Sequence, residues 1–176
     1  MDVLVRQATD ADAAAVASVL FEAAAWLRER GTPLWLESEI LPEEIGRHVR
    51  EGLYFLAECG GEPAGVLRFQ LSDPEVWPEV VQADSAFVHR FAVRRRFAGG
   101  GVSSSLLSWA ARRASDLGRS YLRLDCEAGR PRLRAVYEGF GFRHHSDRQV
   151  GPFFLARYEL AVRAGATRSA GQEQVP

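Results

Sequence analysis

The chain reads as an α/β (α+β) layer fold in which helices cover a mixed β-sheet, and three observations predict it. Apolar residues switch between a period of two and a period near 3.6 in the order βα(α)βββαβαββ. Glycine or proline punctuates most of those switches. The 47% hydrophobic and 26% charged fractions over 176 residues are those of a globular chain with a sizeable core.

Val3–Arg6 forms a short opening strand. Thr9 and Asp12 give a capping-box pattern, with Asp in place of the usual Glu, ahead of Val16, Val19, Leu20, Ala23 and Leu27 at helical spacing. Gly31 supplies the helix stop. A loop carrying Trp35 leads to Pro42, which starts a second helix reaching about Arg50. Leu53–Glu58 and Ala64–Gln70 are apolar runs joined through Cys59–Pro63, a hairpin signal. Leu71–Gln82 is a loop rich in aromatic and acidic groups. In the following strand, Ala86–Val93, the residues Phe87, His89, Phe91 and Val93 alternate onto one face. A basic, glycine-rich turn precedes a helix bearing Val102, Leu106, Ala110, Ala114 and Leu117, stopped by Gly118. Tyr121–Asp125 is a strand, and a helix opening at Pro131 runs through Tyr137 to Gly141. Two closing strands lie near Phe142–His145 and over Phe153–Ala161. Residues 1–163 are expected to form one domain, and the small, polar stretch 164–176 reads as a disordered tail.

All 22 cations are arginines. Without lysine there is no Schiff-base chemistry and no phosphate-loop lysine. A net charge of −1 gives no whole-chain reason to expect nucleic acid or a membrane surface. No apolar run is long enough to span a bilayer, and Cys59 and Cys126 make neither a disulfide framework nor a zinc pattern. No metal is expected, and a reduced, cytoplasmic protein is the default.

The chemistry concentrates where a strand meets Arg94-Arg95-Arg96-Phe97-Ala98-Gly99-Gly100-Gly101 and a helix follows. Successive glycines let backbone N–H groups converge, the helix N-terminus adds its positive dipole, and arginine forks suit phosphate oxygens. The arrangement suits a pyrophosphate; the plainer alternative is a flexible turn beside solvated charges. A dinucleotide fingerprint, Gly99-x-Gly101 with Asp125 downstream, fails because Ser104 occupies the third glycine position and five residues separate the strand from the first glycine.

These segments resemble the GCN5-related N-acetyltransferase (GNAT) family, over roughly Val3 to Leu160. The first block is Val88–Val93 followed by Ala98-Gly99-Gly100-Gly101-Val102-Ser103. The second comprises Leu122–Cys126 and Ala135-Val136-Tyr137-Glu138-Gly139-Phe140-Gly141-Phe142. Three positions depart from the family pattern: Ala98 stands for Arg or Gln, Ser103 for Gly or Ala, and Arg130 for Asn. The resemblance implies a mostly antiparallel central sheet flanked by helices, and direct transfer of an acetyl group from acetyl-coenzyme A (acetyl-CoA) to the primary amine of a small molecule. It implies cofactor contacts along Phe91, Ala92 and Val93, through Arg94, Arg95 and Arg96, across Ala98–Ser103 (Val102 included), and at Arg130. The three arginines are expected to take over from the missing motif arginine.

By the same resemblance Tyr137 is the acid that protonates the departing thiolate, a phenol of pKa about 10 being suited to a thiolate of similar basicity. His89 is the base for the amine, with Glu75 and Asp84 as alternatives acting through water, and His144 or His145 facing the cleft as a further one. Trp26, Trp35 and Trp77 are expected to build the acceptor pocket, Trp77 with acidic neighbours that attract a cation. The alternatives are a silent acyl-CoA-binding module and an enzyme acting on protein N-termini or side chains. The resemblance also admits a homodimer.

Overall fold

A computed structural model describes residues 2–33, 35 and 37–162. The proposed tail therefore lies outside the described residues. Seven strands form one sheet: β1 (Val3–Gln7), β2 (Tyr54–Cys59), β3 (Glu62–Gln70), β4 (Ser85–Val93), β5 (Tyr121–Glu127), β6 (Arg143–Val150) and β7 (Phe153–Ala161). Four α-helices accompany them: α1 (Ala13–Glu29), α2 (Pro42–Arg50), α3 (Val102–Asp116) and α4 (Pro131–Phe140). The sheet order is β1-β2-β3-β4-β5-β7-β6. Only the β4–β5 neighbours run parallel; the others are antiparallel.

Strand alternation divides the buried residues between two faces. Tyr54, Leu56, Val66 and Ala92 pack with Val16, Val19 and Leu20 of α1 and Ile45 and Val49 of α2. Phe55, Leu67, Val88, Leu122 and Leu124 face Val102, Leu106 and Ala110 of α3 and Tyr137 of α4. The chain enters α1 through the capping box that the sequence announces: the Thr9 backbone N–H donates to Asp12 Oδ2 at 2.8 Å. Arg6 ties that box to the sheet, donating to Asp12 Oδ2 at 2.7 Å and to Glu58 Oε1 at 2.6 Å.

Two local details differ from the periodic reading. The β2–β3 connection narrows to Gly60-Gly61, with φ of 58° and 80°, a pair of left-handed residues that only glycine adopts readily and that suit a two-residue hairpin turn. In β4 the alternation breaks. The register passes from Arg68↔His89 to Val66↔Ala92, so β4 carries one residue more than β3, and Arg90 has φ +49°. This β-bulge turns Phe91 and Val93 onto the α3/α4 face, whereas His89 stays on the α1/α2 face with its register partner Arg68. The predicted single face of Phe87, His89, Phe91 and Val93 is thereby corrected.

Candidate active site

The site is built where two parallel strands part. β4 and β5 pair only from Ser85↔Tyr121 to Val88↔Leu124. Beyond that point β4 continues alongside β3 as far as Val93, and β5 continues alongside β7 as far as Glu127. The gap opens into a cavity of about 500 Å³ lined on one flank by Arg68, Asp73, His89 and Asp125 and on the other by Cys126 and Tyr137. Because adjacent strand residues project oppositely, Asp125 and Cys126 serve different faces, so the cavity runs through the sheet.

Beside the gap, the turn after β4 ends in Gly99 and Gly101, with φ of 79° and 85°. α3 starts at Val102 with no side-chain cap, leaving its first amide groups without the usual side-chain oxygen. A Cβ at Gly99 or Gly101 would meet nothing within 4 Å, so backbone conformation, not crowding, demands glycine there. β3 Gly65 does the opposite work: a Cβ there would stand 2.9 Å from the Ala92 carbonyl oxygen and 3.0 Å from Leu106 Cδ1 and Val102 Cγ1. That close approach seats the start of α3 on the sheet. Exposed backbone donors at an uncapped helix N-terminus fit a pyrophosphate.

Tyr137 is buried on α4, its ring 6.3 Å from Phe91, 6.1 Å from Phe142 and 5.9 Å from Tyr158. Its hydroxyl has no hydrogen-bond partner among the described residues, and burial pushes its pKa well above the ordinary phenol value. Across the gap, His89 Nε2 lies 3.3 Å from Asp73 Oδ2. Asp73 is buried, and its Oδ1 accepts the Val76 N–H at 3.2 Å. Burial pushes the Asp73 carboxyl up, but the His89 contact, the Val76 N–H and the charge of Arg68 together outweigh it and hold the group below its ordinary range. Asp125 lacks such a contact; burial raises its pKa, which neighbouring side chains, Arg90 among them, only partly offset. One ligand atom from each of Asp73, His89 and Asp125 falls within 4.8 Å of the others. A cation could use that spacing, though the Asp73–His89 contact already accounts for part of it.

The chain matches the profile of the Acetyltransferase (GNAT) family over residues 19–142. It belongs to that family. A curated relative, the uncharacterised N-acetyltransferase YesJ of Bacillus subtilis (strain 168), is 31% identical over 139 residues, which covers 74% of this chain and 76% of the relative. A GNAT-family acetyltransferase structure from Listeria monocytogenes 4b F2365 superposes with a TM-score of 0.72 at 25% identity, covering 90% of this chain and 95% of that one. The Salmonella typhimurium yncA protein, a putative acetyltransferase solved with acetyl-CoA, shares the fold with a TM-score of 0.70 at 18% identity, covering 97% of this chain and all of the other. This GNAT chain is accordingly an acyl-CoA-dependent acetyltransferase. The seven-stranded, mostly antiparallel sheet agrees with the fold the resemblance implied.

Within the GNAT fold, the residues singled out from sequence divide into those that reach the cavity and those that do not. Tyr137, His89, Phe91, Trp35 and Glu75 line it. Ala92 and Val93 lie on the same strand but pack into the two cores. Ala98, Gly99 and Gly101 are exposed in the turn, Gly100 and Ser103 are half-buried, and Val102 is fully packed beneath it. Each of the three arginines expected to serve phosphate has a partner within the protein. Arg94 turns back to α1, where its fork donates to Glu22, to Ser18 Oγ at 2.8 Å and to the Pro63 carbonyl oxygen at 2.9 Å. Arg95 lies 4.1 Å over the Trp26 ring, and Arg96 makes an exposed 2.7 Å ion pair with Glu62. Arg130 is likewise engaged, donating to Glu127 at 2.7 Å and to the Thr32 and Pro33 carbonyl oxygens, so it fastens the loop after α1 to the start of α4.

Trp26 sits between Arg30 and Arg95, away from the cavity lining. Trp77 is fully buried beside Phe87, with the Arg123 and Arg157 guanidinium groups 5.4 and 4.7 Å from its ring. Asp84, His144 and His145 are exposed and do not line the cavity either; His144 pairs with Asp147 at 2.7 Å. Two cavity residues escaped the sequence reading of the site: Arg68, and Asp73 as the partner of His89. The alternation of β3 places Arg68 opposite His89, but only the register reveals it.

Proposed function

We propose that this GNAT chain transfers an acetyl group from acetyl-CoA to the primary amine of a small molecule by direct attack, with Tyr137 as general acid and His89 as general base. The observation that carries the reading is the convergence of a buried, unpartnered tyrosine hydroxyl and a carboxylate-paired histidine on one cavity at the parting of β4 and β5. The Gly99–Gly101 turn and the first amides of α3 hold the pyrophosphate, and the gap admits the pantetheine arm. Contact with Asp73 favours a proton on His89 Nε2 and leaves the Nδ1 lone pair free to take one from the acceptor. The amine nitrogen then bonds to the thioester carbonyl carbon, the carbon–sulfur bond breaks, the Tyr137 hydroxyl protonates the sulfur, and the second proton that the nitrogen sheds on becoming an amide returns by way of water to the Tyr137 oxygen.

Titration calorimetry with acetyl-CoA, followed by thiol release across a panel of primary amines and peptides, tests the proposal. Binding with turnover on small amines is the expected result. Binding without thiol release from any acceptor supports a silent acyl-CoA-binding module, and turnover confined to peptides supports a protein-modifying enzyme; either result refutes the small-amine assignment.

A further inference from the structure

Of the two arginines lining the cavity, Arg68 is the one that makes no ion pair among the described residues, although Asp73 and Glu44 act on it from a greater distance. It projects from β3 between Tyr54 of β2 and His89 of β4, its register partners on either side. Its Nε is sealed from solvent with no hydrogen-bond partner, and its Nη1 lies 3.4 Å from Nδ1 of the His48 ring. A neutral imidazole at that distance is a weak partner for a cation. The neighbouring Arg90, by contrast, donates to the Glu39 carbonyl oxygen at 3.1 Å and lies 3.7 Å from the Glu39 carboxylate. No carboxylate lies within ion-pair distance of Arg68 among the described residues. Apart from that ring the Nη1–Nη2 end, which can take a carboxylate through two parallel bonds, has no acceptor among the described residues.

Nearby on the same sheet face the charge is of opposite sign. Asp125 lines the cavity with no hydrogen-bond partner among the described residues, and Asp73 stands behind His89. A guanidinium without an ion pair and a carboxylate without a hydrogen bond, both in one cavity, are complementary to a ligand carrying both charges.

We propose that the acceptor is an amino-acid-like zwitterion whose carboxylate docks on the Nη1–Nη2 end of Arg68 while its amine is received by Asp125 and His89. The assignment rests on the transfer reading above and narrows its substrate class. Burial works against the charged form of Arg68, and an anionic ligand restores what burial removes.

Matched pairs differing only in the carboxylate test it: phenylalanine against phenethylamine, leucine against isopentylamine, lysine against cadaverine. With acetyl-CoA saturating, kcat/KM read by thiol release is expected to favour the carboxylate-bearing member of at least one pair by roughly tenfold to a hundredfold, as a charge-assisted bidentate contact implies. In Arg68→Gln that ratio falls toward one, and Arg68→Lys, which keeps the charge but not the fork, restores part of it. If Arg68→Gln does not melt cooperatively, the wild-type pairs and Arg68→Lys decide alone. Amines that turn over with no preference for the carboxylate, or a preference against it, overturn the zwitterion assignment while leaving the transfer reading in place. Bound acetyl-CoA with no thiol released from any member overturns both.

Discussion

Replacing Tyr137 with Phe separates a structural tyrosine from a catalytic one, because the structure predicts opposite responses in stability and in rate. The ring supplies the packing, against Phe91, Phe142 and Tyr158, and phenylalanine keeps it. The hydroxyl makes no hydrogen bond to a described residue, so its removal forfeits none of the roughly 1 kcal/mol that a typical bond contributes. Folding free energy should therefore change by less than about 1 kcal/mol, with any change favouring the variant. Loss of a positioned general acid, on the other hand, lowers kcat by about 10²- to 10⁴-fold, equivalent to roughly 3–5 kcal/mol of barrier. Thermal melting and thiol-release kinetics on the same preparation make the comparison, with acetyl-CoA affinity as a control for the cofactor site. Burial keeps the phenol protonated beyond its ordinary pKa, so the rate loss should persist without displacing the alkaline limb of the profile. A kcat within about threefold of wild type, well short of what general acids contribute, would falsify the role of Tyr137 as acid.

Two further outcomes follow from packing and charge. Gly65→Ala places a Cβ 2.9 Å from the backbone oxygen of Ala92, which cannot swing aside as the Leu106 and Val102 methyls can. The expected cost is about 1–3 kcal/mol by denaturant melting, and an unchanged midpoint would mean that α3 is not held by this contact. Asp125→Asn should raise stability at neutral to alkaline pH. Burial lifts the folded-state pKa of Asp125 above its ordinary 3.8, so ionisation penalises the folded state increasingly as pH rises from 3.8 through the folded pKa. Melting curves of the two proteins should diverge in that direction with rising pH and converge toward about pH 4; parallel curves contradict the burial argument.

Much of the fold was legible because its signals are local. Pro42 and Pro131 open helices α2 and α4 as their fixed φ dictates, and Gly141 closes α4 with φ +116°. The Thr9–Asp12 box begins where the sequence puts it. The β4 bulge was not legible, because Val88–Val93 carries no glycine to announce an extra residue; the left-handed conformation falls on Arg90, held by its bonds to Glu39. That single residue decides which side chains share the cavity with His89. The fate of the arginine run was hidden for a related reason. Sequence shows three forks beside a glycine turn, but Glu22 and Ser18, more than seventy residues away in the chain, claim Arg94. Charge partners set by tertiary contact cannot be read from spacing.

The parting of β4 and β5 also explains how a nucleophilic thiol is tolerated in the cavity lining. Asp125 and Cys126 are neighbours in sequence but project to opposite faces of β5, so Arg68, His89 and Asp125 lie on the α1/α2 side while Cys126 shares the α3/α4 side with Tyr137. There burial, reinforced by the negative charge of Asp125, pushes the thiol pKa up to about 12. At neutral pH such a thiol is ionised in only about one molecule in 10⁵, and the thiol form is a poor nucleophile. On the proposed reading, an amine received on the polar side meets no thiolate competitor for a thioester in the gap. A guanidinium such as that of Arg68, placed instead beside Cys126, would stabilise the thiolate and bring the thiol pKa down. The sheet's alternation, shifted by one residue at Arg90, is what holds the two environments apart within a cavity of about 500 Å³.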